Sequence, residues 1–276
     1  MSPLMRKYSG GVPYAMTLTS TGDGTGVSTL KMTVSEDVLV SLGPNAKFYS
    51  DAGGSADESG FWTILSGAAR TIYLKCTTAT ATMTFSDITK VTSWIEWTSS
   101  TNAASIGGDI GEFVNLTYLY VKGSNTISGS VAALTSLTYL LVKGSNTLSG
   151  SVAALTSLTY LNVTGSNTLS GDINPLVSDL TTCTVLGDNQ MEVYTSGATW
   201  GNATVTINPA VGYGYSETEV DNILIDMAAS DSMSGKIITL QGSSLARTSA
   251  SDAAVAKLET LNSGYVHAAN TVNTTP

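Results

Sequence analysis

Tyr118, Tyr139 and Tyr160 recur at a strict interval of 21 residues, and Lys122 and Lys143 follow the first two of them at a constant distance. Tyr120, Leu141 and Asn162 fill the place between ring and lysine. An aromatic ring with a polar tip loses little rotamer freedom on contact, so such a set suits recognition of protein or sugar. A purely structural reading competes with it: copied repeats copy their surface residues, and three tyrosines in line would cover a sheet and stiffen it.

Residue types that carry acid–base or covalent chemistry are scarce. His267 is the only histidine and lies close to the C-terminus. No Gly-x-Ser-x-Gly, His-Glu-x-x-His, Cys-x-x-Cys or Walker-type spacing occurs. Asp109, Glu112, Asp172 and Asp188 fall near the edges of the repeats, where solvated carboxylates are expected, and do not pair across a cleft. Gly22-Asp-Gly-Thr-Gly26 lacks the lysine and following helix of a phosphate loop and reads as a hairpin turn. Cys76 and Cys183 read as buried thiols rather than a disulfide. No enzymatic activity, cofactor or metal is expected.

The elements that must hold the tyrosines follow from the repeat. Leu116-Thr-Tyr-Leu-Tyr-Val-Lys-Gly-Ser-Asn, Leu137-Thr-Tyr-Leu-Leu-Val-Lys-Gly-Ser-Asn and Leu158-Thr-Tyr-Leu-Asn-Val-Thr-Gly-Ser-Asn begin consecutive windows. A fixed period of this length predicts a stacked solenoid whose coils bury their apolar faces only against one another. Alternation points Leu119 and Val121, Leu140 and Val142, and Leu161 and Val163 inward, and the tyrosines outward. Gly123, Gly144 and Gly165 fit a sharp turn that sends Ile127, Leu148 and Leu169 back into the core. Val131 and Leu134, then Val152 and Leu155, cross the back of the coil.

The spacing Leu-x-x-Leu-x-Val-x-Gly-Ser-Asn-x-(Leu/Ile)-Ser-Gly resembles the leucine-rich repeat family over at least residues 106–173. The resemblance implies one parallel strand per coil on a concave side and a short irregular or 3-10 return on a convex side. It would put Tyr118, Tyr120, Lys122, Tyr139, Leu141, Lys143, Tyr160 and Asn162 on the concave face as binding residues. Ser124, Ser145 and Ser166 hold the family's asparagine place, with Asn125, Asn146 and Asn167 next to them. Either side chain is therefore open as the partner that buried turn amides need. A right-handed parallel β-helix of similar coil length is the alternative architecture.

Fainter coils extend the stack. Ile106, Ile110 and Phe113 match the back of a coil whose strand lies around Trp94 to Thr98. Cys183 and Val185, Val205 and Ile207, and Ile238 and Leu240 continue the inward alternation downstream. Ser216-Glu-Thr-Glu219 has capping-box spacing before Val220, Ile223, Leu224 and Met227, and Ser249 or Ser251 would start a second helix carrying Val255, Leu258 and Leu261. Gly264 is placed to end that helix.

The expected fold is mainly β with short helices: a small antiparallel β-sandwich-like domain over residues 1–90, a solenoid with a helical C-terminal cap over 91–264, and a weakly ordered tail over 265–276. The first domain, built from runs such as Thr29–Val34, Val38–Leu42, Arg70–Cys76 and Ala81–Phe85 with turns at Gly43-Pro-Asn and Asp51-Ala-Gly-Gly, would cap the exposed parallel edge.

Charged residues make up 12% of the chain, about half the usual share, and the formal net charge is −9. A nucleic-acid partner is excluded for want of a basic stripe, and membrane insertion for want of a long apolar run. The N-terminal residues have no signal-peptide core, which with the Thr/Ser/Gly-rich surface favours a protein that leaves the cell by lysis. The style of the coils and terminal helices resembles leucine-rich repeat proteins of Bacteroidetes-type bacteria and of the tail fibres or virion surfaces of their phages. Three functions follow as expectations: a phage virion component for host recognition or adhesion, a bacterial cell-surface adhesin, and a polysaccharide-degrading enzyme on a repeat scaffold. Partners would be other virion or cell-surface proteins and a host surface protein or glycan, in an extracellular setting; a homo-oligomer is compatible, without a heptad run to drive it.

Overall fold

The computed structural model of the chain describes residues 14–19, 28–49, 61–64, 69–76, 80–98, 105–123, 125–210, 212–240, 246–261 and 264–267. The expected turns at Gly22–Gly26 and at Asp51-Ala-Gly-Gly, Ser124 and the tail beyond His267 lie outside the described residues. The fold is a β-solenoid of about five turns with parallel sheets and few short helices. The chain divides into two compact units, residues 1–137 with 144–147, and residues 138–143 with 148–276.

The first unit contains β1 (Tyr14–Thr19), β2 (Ser28–Val34), β3 (Val38–Leu42), β4 (Ala46–Tyr49), β5 (Phe61–Ile64), β6 (Arg70–Cys76), β7 (Thr80–Phe85), β8 (Val91–Thr98), β9 (Ser105–Asp109), β10 (Tyr118–Val121) and β11 (Thr126–Ser130). They form two sheets, in the orders β11-β9-β1-β7-β3-β5 and β10-β8-β2-β6-β4. In the first, β9 pairs antiparallel with β1 on one side and parallel with β11 on the other. In the second, β8 pairs antiparallel with β2 and parallel with β10.

Strand pairing links the segments on either side of residue 90 in both sheets, and the first compact unit extends past it to residue 137. The N-terminal β segment caps the first coils by pairing with them strand to strand, which leaves no parallel edge bare at that end. Alternation decides the faces: Met16, Leu18, Leu30, Met32, Ile72, Leu74, Met83 and Phe85 are all buried. Phe113 stands where later coils carry leucine. Its ring meets Trp94 at 5.3 Å, Tyr14 at 5.6 Å and Phe85 at 5.8 Å, each edge to face, an arrangement that aromatic quadrupoles favour.

The second unit contains β12 (Tyr139–Val142), β13 (Thr147–Ser151), β14 (Tyr160–Val163), β15 (Thr168–Ser170), β16 (Thr182–Gly187), β17 (Thr204–Pro209), α1 (Glu217–Ala229), β18 (Ile237–Leu240), α2 (Asp252–Leu261) and β19 (Gly264–His267). Its main sheet is parallel throughout, in the order β12-β14-β16-β17-β18-β19. Tyr139 pairs with Tyr160, Tyr160 with Thr182 and Thr182 with Thr204, so the coil grows from 21 to 22 residues. Insertion of α1 widens the next interval to the 33 residues between Thr206 and Thr239, and α2 sets the 27 between Ile237 and Gly264.

The inward positions expected from the repeat are buried, from Leu119 and Val121 through Ile207 to Ile238 and Leu240. The return side holds more regular structure than the family resemblance implies. Besides 3-10 turns at Ile110–Glu112 and Val131–Ala133, it carries β9 and β11 in the first unit and β13 and β15 in the second, paired in parallel.

The capping box forms as read: the Ser216 hydroxyl accepts from Glu219 N–H, and Glu219 Oε2 accepts from Ser216 N–H at 2.8 Å. The second helix starts differently. Thr248 caps a 3-10 turn over Ser249–Ser251 that runs into α2, and Ser251 instead donates to Asp221 of α1. Beyond α2 the stack gains one more strand, β19, so His267 belongs to a sheet rather than to the tail expected from residue 265.

Asparagine, not serine, is the internal ladder of the coils. Asn125, Asn146 and Asn167 are fully buried, whereas Ser145 and Ser166 are exposed. Each Asn Oδ1 accepts the N–H of the apolar anchor one coil earlier: Asn125 from Ile106 at 3.2 Å, Asn146 from Ile127 at 3.1 Å, and Asn167 from Leu148 at 3.0 Å. Asn189, in the irregular coil that follows, takes Leu169 N–H at 3.3 Å. The amide groups of Asn125, Asn167 and Asn189 donate back to the carbonyls of Lys122, Thr164 and Leu186 in their own turns. Gly144 makes such a turn possible, with φ of 94° and a position where a Cβ would lie 2.3 Å from Gly123 O.

Asn167→Ala leaves the buried Leu148 N–H without its acceptor, worth about 1–3 kcal/mol, and takes a donor from the part-buried Thr164 carbonyl. Urea unfolding is expected to show a loss of about 1–4 kcal/mol, against less than about 0.5 kcal/mol for Ser166→Ala.

Candidate functional site

The tyrosines project from the face of the main sheet opposite Leu119, Val121, Leu140, Val142, Leu161 and Val163. In the first unit, Tyr118 and Tyr120 are half-buried on β10, Tyr118 pairing with Ser93 of β8. Lys122 is exposed, and its ammonium sits 5.5 Å from the centre of the Tyr120 ring, within cation–π range.

In the second unit, the rings of Tyr139 and Tyr160 lie 4.3 Å apart at 11° to each other. Their in-register strands hold them there, since adjacent strands stand about 4.8 Å apart. Each ring thus turns one face to the other. Lys143 and Thr164 beside them are half-buried.

Leu141 and Asn162 depart from the expectation. They point to the same side as the tyrosines yet are only 7% and 9% exposed, because large neighbours at strand spacing screen shorter side chains on the same face. Asn162 Nδ2 donates to the Tyr160 hydroxyl at 3.4 Å, while its Oδ1 is buried without a hydrogen-bond partner. Leu141 and Asn162 therefore lie lower on the face than the rings beside them.

The same face continues past the tyrosines. Register places Thr182 and Thr204 in the row of Tyr160, and Thr184, Thr206 and Thr239 in the row of Asn162. All five are half-buried. The signal for them was the Thr-Cys-Thr and Thr-Val-Thr around the inward Cys183 and Val205, which alternation reveals once the outward residues are read along with the inward ones. A second set of threonines at the strand entrances ties the rungs together: Thr159 Oγ1 donates to Thr138 O at 3.1 Å and Thr181 Oγ1 to Thr159 O at 2.8 Å.

The carboxylates act as structural acceptors. Asp109 takes Gly111 N–H, and Asp172 takes those of Asn174 and Thr195. Asp226 Oδ2, buried on α1, accepts from Gly197 N at 2.8 Å, Ala198 N at 3.0 Å and the Tyr194 hydroxyl at 3.0 Å. With Glu219 taking Tyr194 N–H and Ser230 taking Trp200 N–H, the long irregular segment before β17 is fastened to α1. Among the described residues, no group of three or more His, Cys, Asp or Glu could hold a metal ion, and no helix is long and apolar enough to cross a membrane. Cys76 and Cys183 are both buried free thiols.

Burial also governs the titration of this unit. It pushes the Cys183 thiol up to about 12 and raises the phenols of Tyr194 and Tyr215 above their usual 10.0. The folded protein then holds these protons more tightly than the unfolded chain, so their stabilisation is whole below the unfolded values and is lost as pH rises through the folded ones. Urea midpoints are expected to hold up to about pH 9 and to fall steadily above it. Tyr139→Ser removes a ring stack worth about 0.5–1.5 kcal/mol. It is expected to lower the melting temperature by about 2–4 °C per kcal/mol lost, read by thermal unfolding; an unchanged melting temperature would mean that the stack does not stiffen the sheet.

Compared with known families and curated proteins, the chain matches no family model and none of the curated sequences.

Proposed function

We propose that the protein is a non-enzymatic binding or structural component of a phage virion, a tail fibre or particle-surface protein of leucine-rich repeat type that takes part in host recognition or adhesion. One observation carries the non-enzymatic part of the reading. Among the described residues, Asp109, Asp172, Glu219, Asp221 and Asp226 are spent on backbone amides and neighbouring side chains. A rigid stack with an outward face of tyrosine, threonine and amide groups is suited to contact, since a preformed surface loses little entropy on binding.

The setting rests on composition. A chain with 12% charged residues and a surface of Ser, Thr and Gly fits a particle exposed outside the cell, with other virion proteins and a host surface protein or glycan as partners.

Mass spectrometry of purified particles, set against outer-membrane fractions of the same culture, tests this. Enrichment in particles is the expected result. Enrichment in the outer membrane alone would replace the reading with that of a cell-surface adhesin, and release of reducing ends from host polysaccharide would restore the enzymatic alternative.

A further inference from the structure

We propose that the outer face of β14, β16, β17 and β18 is the docking surface for an uncharged polysaccharide laid along the stack. The inference rests on the reading of the protein as a binder and names the chemistry of what it binds.

The face is a small lattice. Thr182 and Thr204 form one row, and Asn162, Thr184, Thr206 and Thr239 the other, in parallel register. Rows of this kind repeat about every 4.8 Å from strand to strand, with about 6.7 Å between alternate residues along a strand. Each threonine adds a hydroxyl that both donates and accepts, next to a methyl group. The lattice is fixed in advance, because β14, β16, β17 and β18 are each paired on both sides.

Charge complementarity selects the partner. The chain carries −9 overall, yet none of the outward positions on these four strands bears a charge. An anionic polymer would be repelled by the whole and offered no cation by the face. The surface also lacks the methionine, arginine and dense aromatic content that mark the centre of a protein interface. A neutral glycan answers both points, since it presents hydroxyls at a regular repeat and needs only hydroxyl and amide partners. Asn162 adds an independent mark: a side chain more than nine-tenths buried at the edge of the lattice, with Oδ1 unpartnered. An acceptor left open in that way is costly unless something donates to it, and a sugar hydroxyl reaching past Tyr160 would do so.

Affinity electrophoresis of the full chain through gels cast with dextran, laminarin, galactomannan or alginate tests the proposal, with adsorption to host cells measured in parallel. Retardation by at least one of the three neutral polymers and none by alginate is expected, with little dependence on salt. Thr184→Val with Thr206→Val keeps β-branched shape and removes two hydroxyls, and should weaken retardation about tenfold at an unchanged melting temperature. Thr184→Lys with Thr206→Lys should abolish it. Unaltered retardation of the valine variant, or no retardation by any neutral polymer, overturns the proposal. Cells bound without glycan retardation would sink the polysaccharide and spare the host-recognition reading, whereas absence of both would sink the two together.

Discussion

The regular coils are each held to the one before by a buried asparagine, Asn125, Asn146 or Asn167. Its Oδ1 receives the backbone N–H of the preceding coil's anchor, and where its amide bond is recorded, the amide closes its own turn. Turns packed against an apolar core cannot hydrogen-bond to water, so this ladder is what allows Ile127, Leu148 and Leu169 to be driven inward without stranding their amides. In the regular coils the left-handed glycine at the preceding turn accompanies it, because the carboxamide must arrive at the same height in each of these rungs.

The two units meet the problem of exposed backbone in different ways. At the N-terminal end, β1 and β2 turn the parallel ladders into antiparallel ones, and Phe113 with Trp94 fills the interior with rings where later coils use leucine. In the second unit, helices replace strands on the return, and carboxylates do the fastening. Asp226 gathers three donors from an otherwise irregular segment, and Asp221 holds Thr248 and Ser251 at the start of α2. Acidic residues that would suggest chemistry in a bare sequence are the mortar of the C-terminal coils.

The outward face of the second unit's main sheet changes character along its length. Tyr139 and Tyr160 are stacked on each other and stiffen it, while the threonine rows beyond them keep hydroxyls at half-buried positions. On a repeat scaffold the side-chain spacing of such a face is set by backbone hydrogen bonds and varies little from rung to rung.

The period of 21 residues, read with strand alternation, determined the solenoid, its inward leucines and valines, the turn glycines and the capping box at Ser216, because each depends on local geometry and on side-chain type alone. Other features were decided by tertiary structure. Ser145 and Asn146, or Ser166 and Asn167, are adjacent polar residues that no pattern separates; only the direction of the folded turn sends the asparagine inward. Leu141 and Asn162 face outward as alternation requires, yet neighbouring rungs bury them, a matter of what stands one strand away. The sequence changes character near residue 90, while pairing between strands ignores composition: β8 and β9 each carry an antiparallel ladder on one side and a parallel one on the other. Sequence fixes which way a residue points along its own strand; the company it keeps on the next strand is settled only when the coils stack.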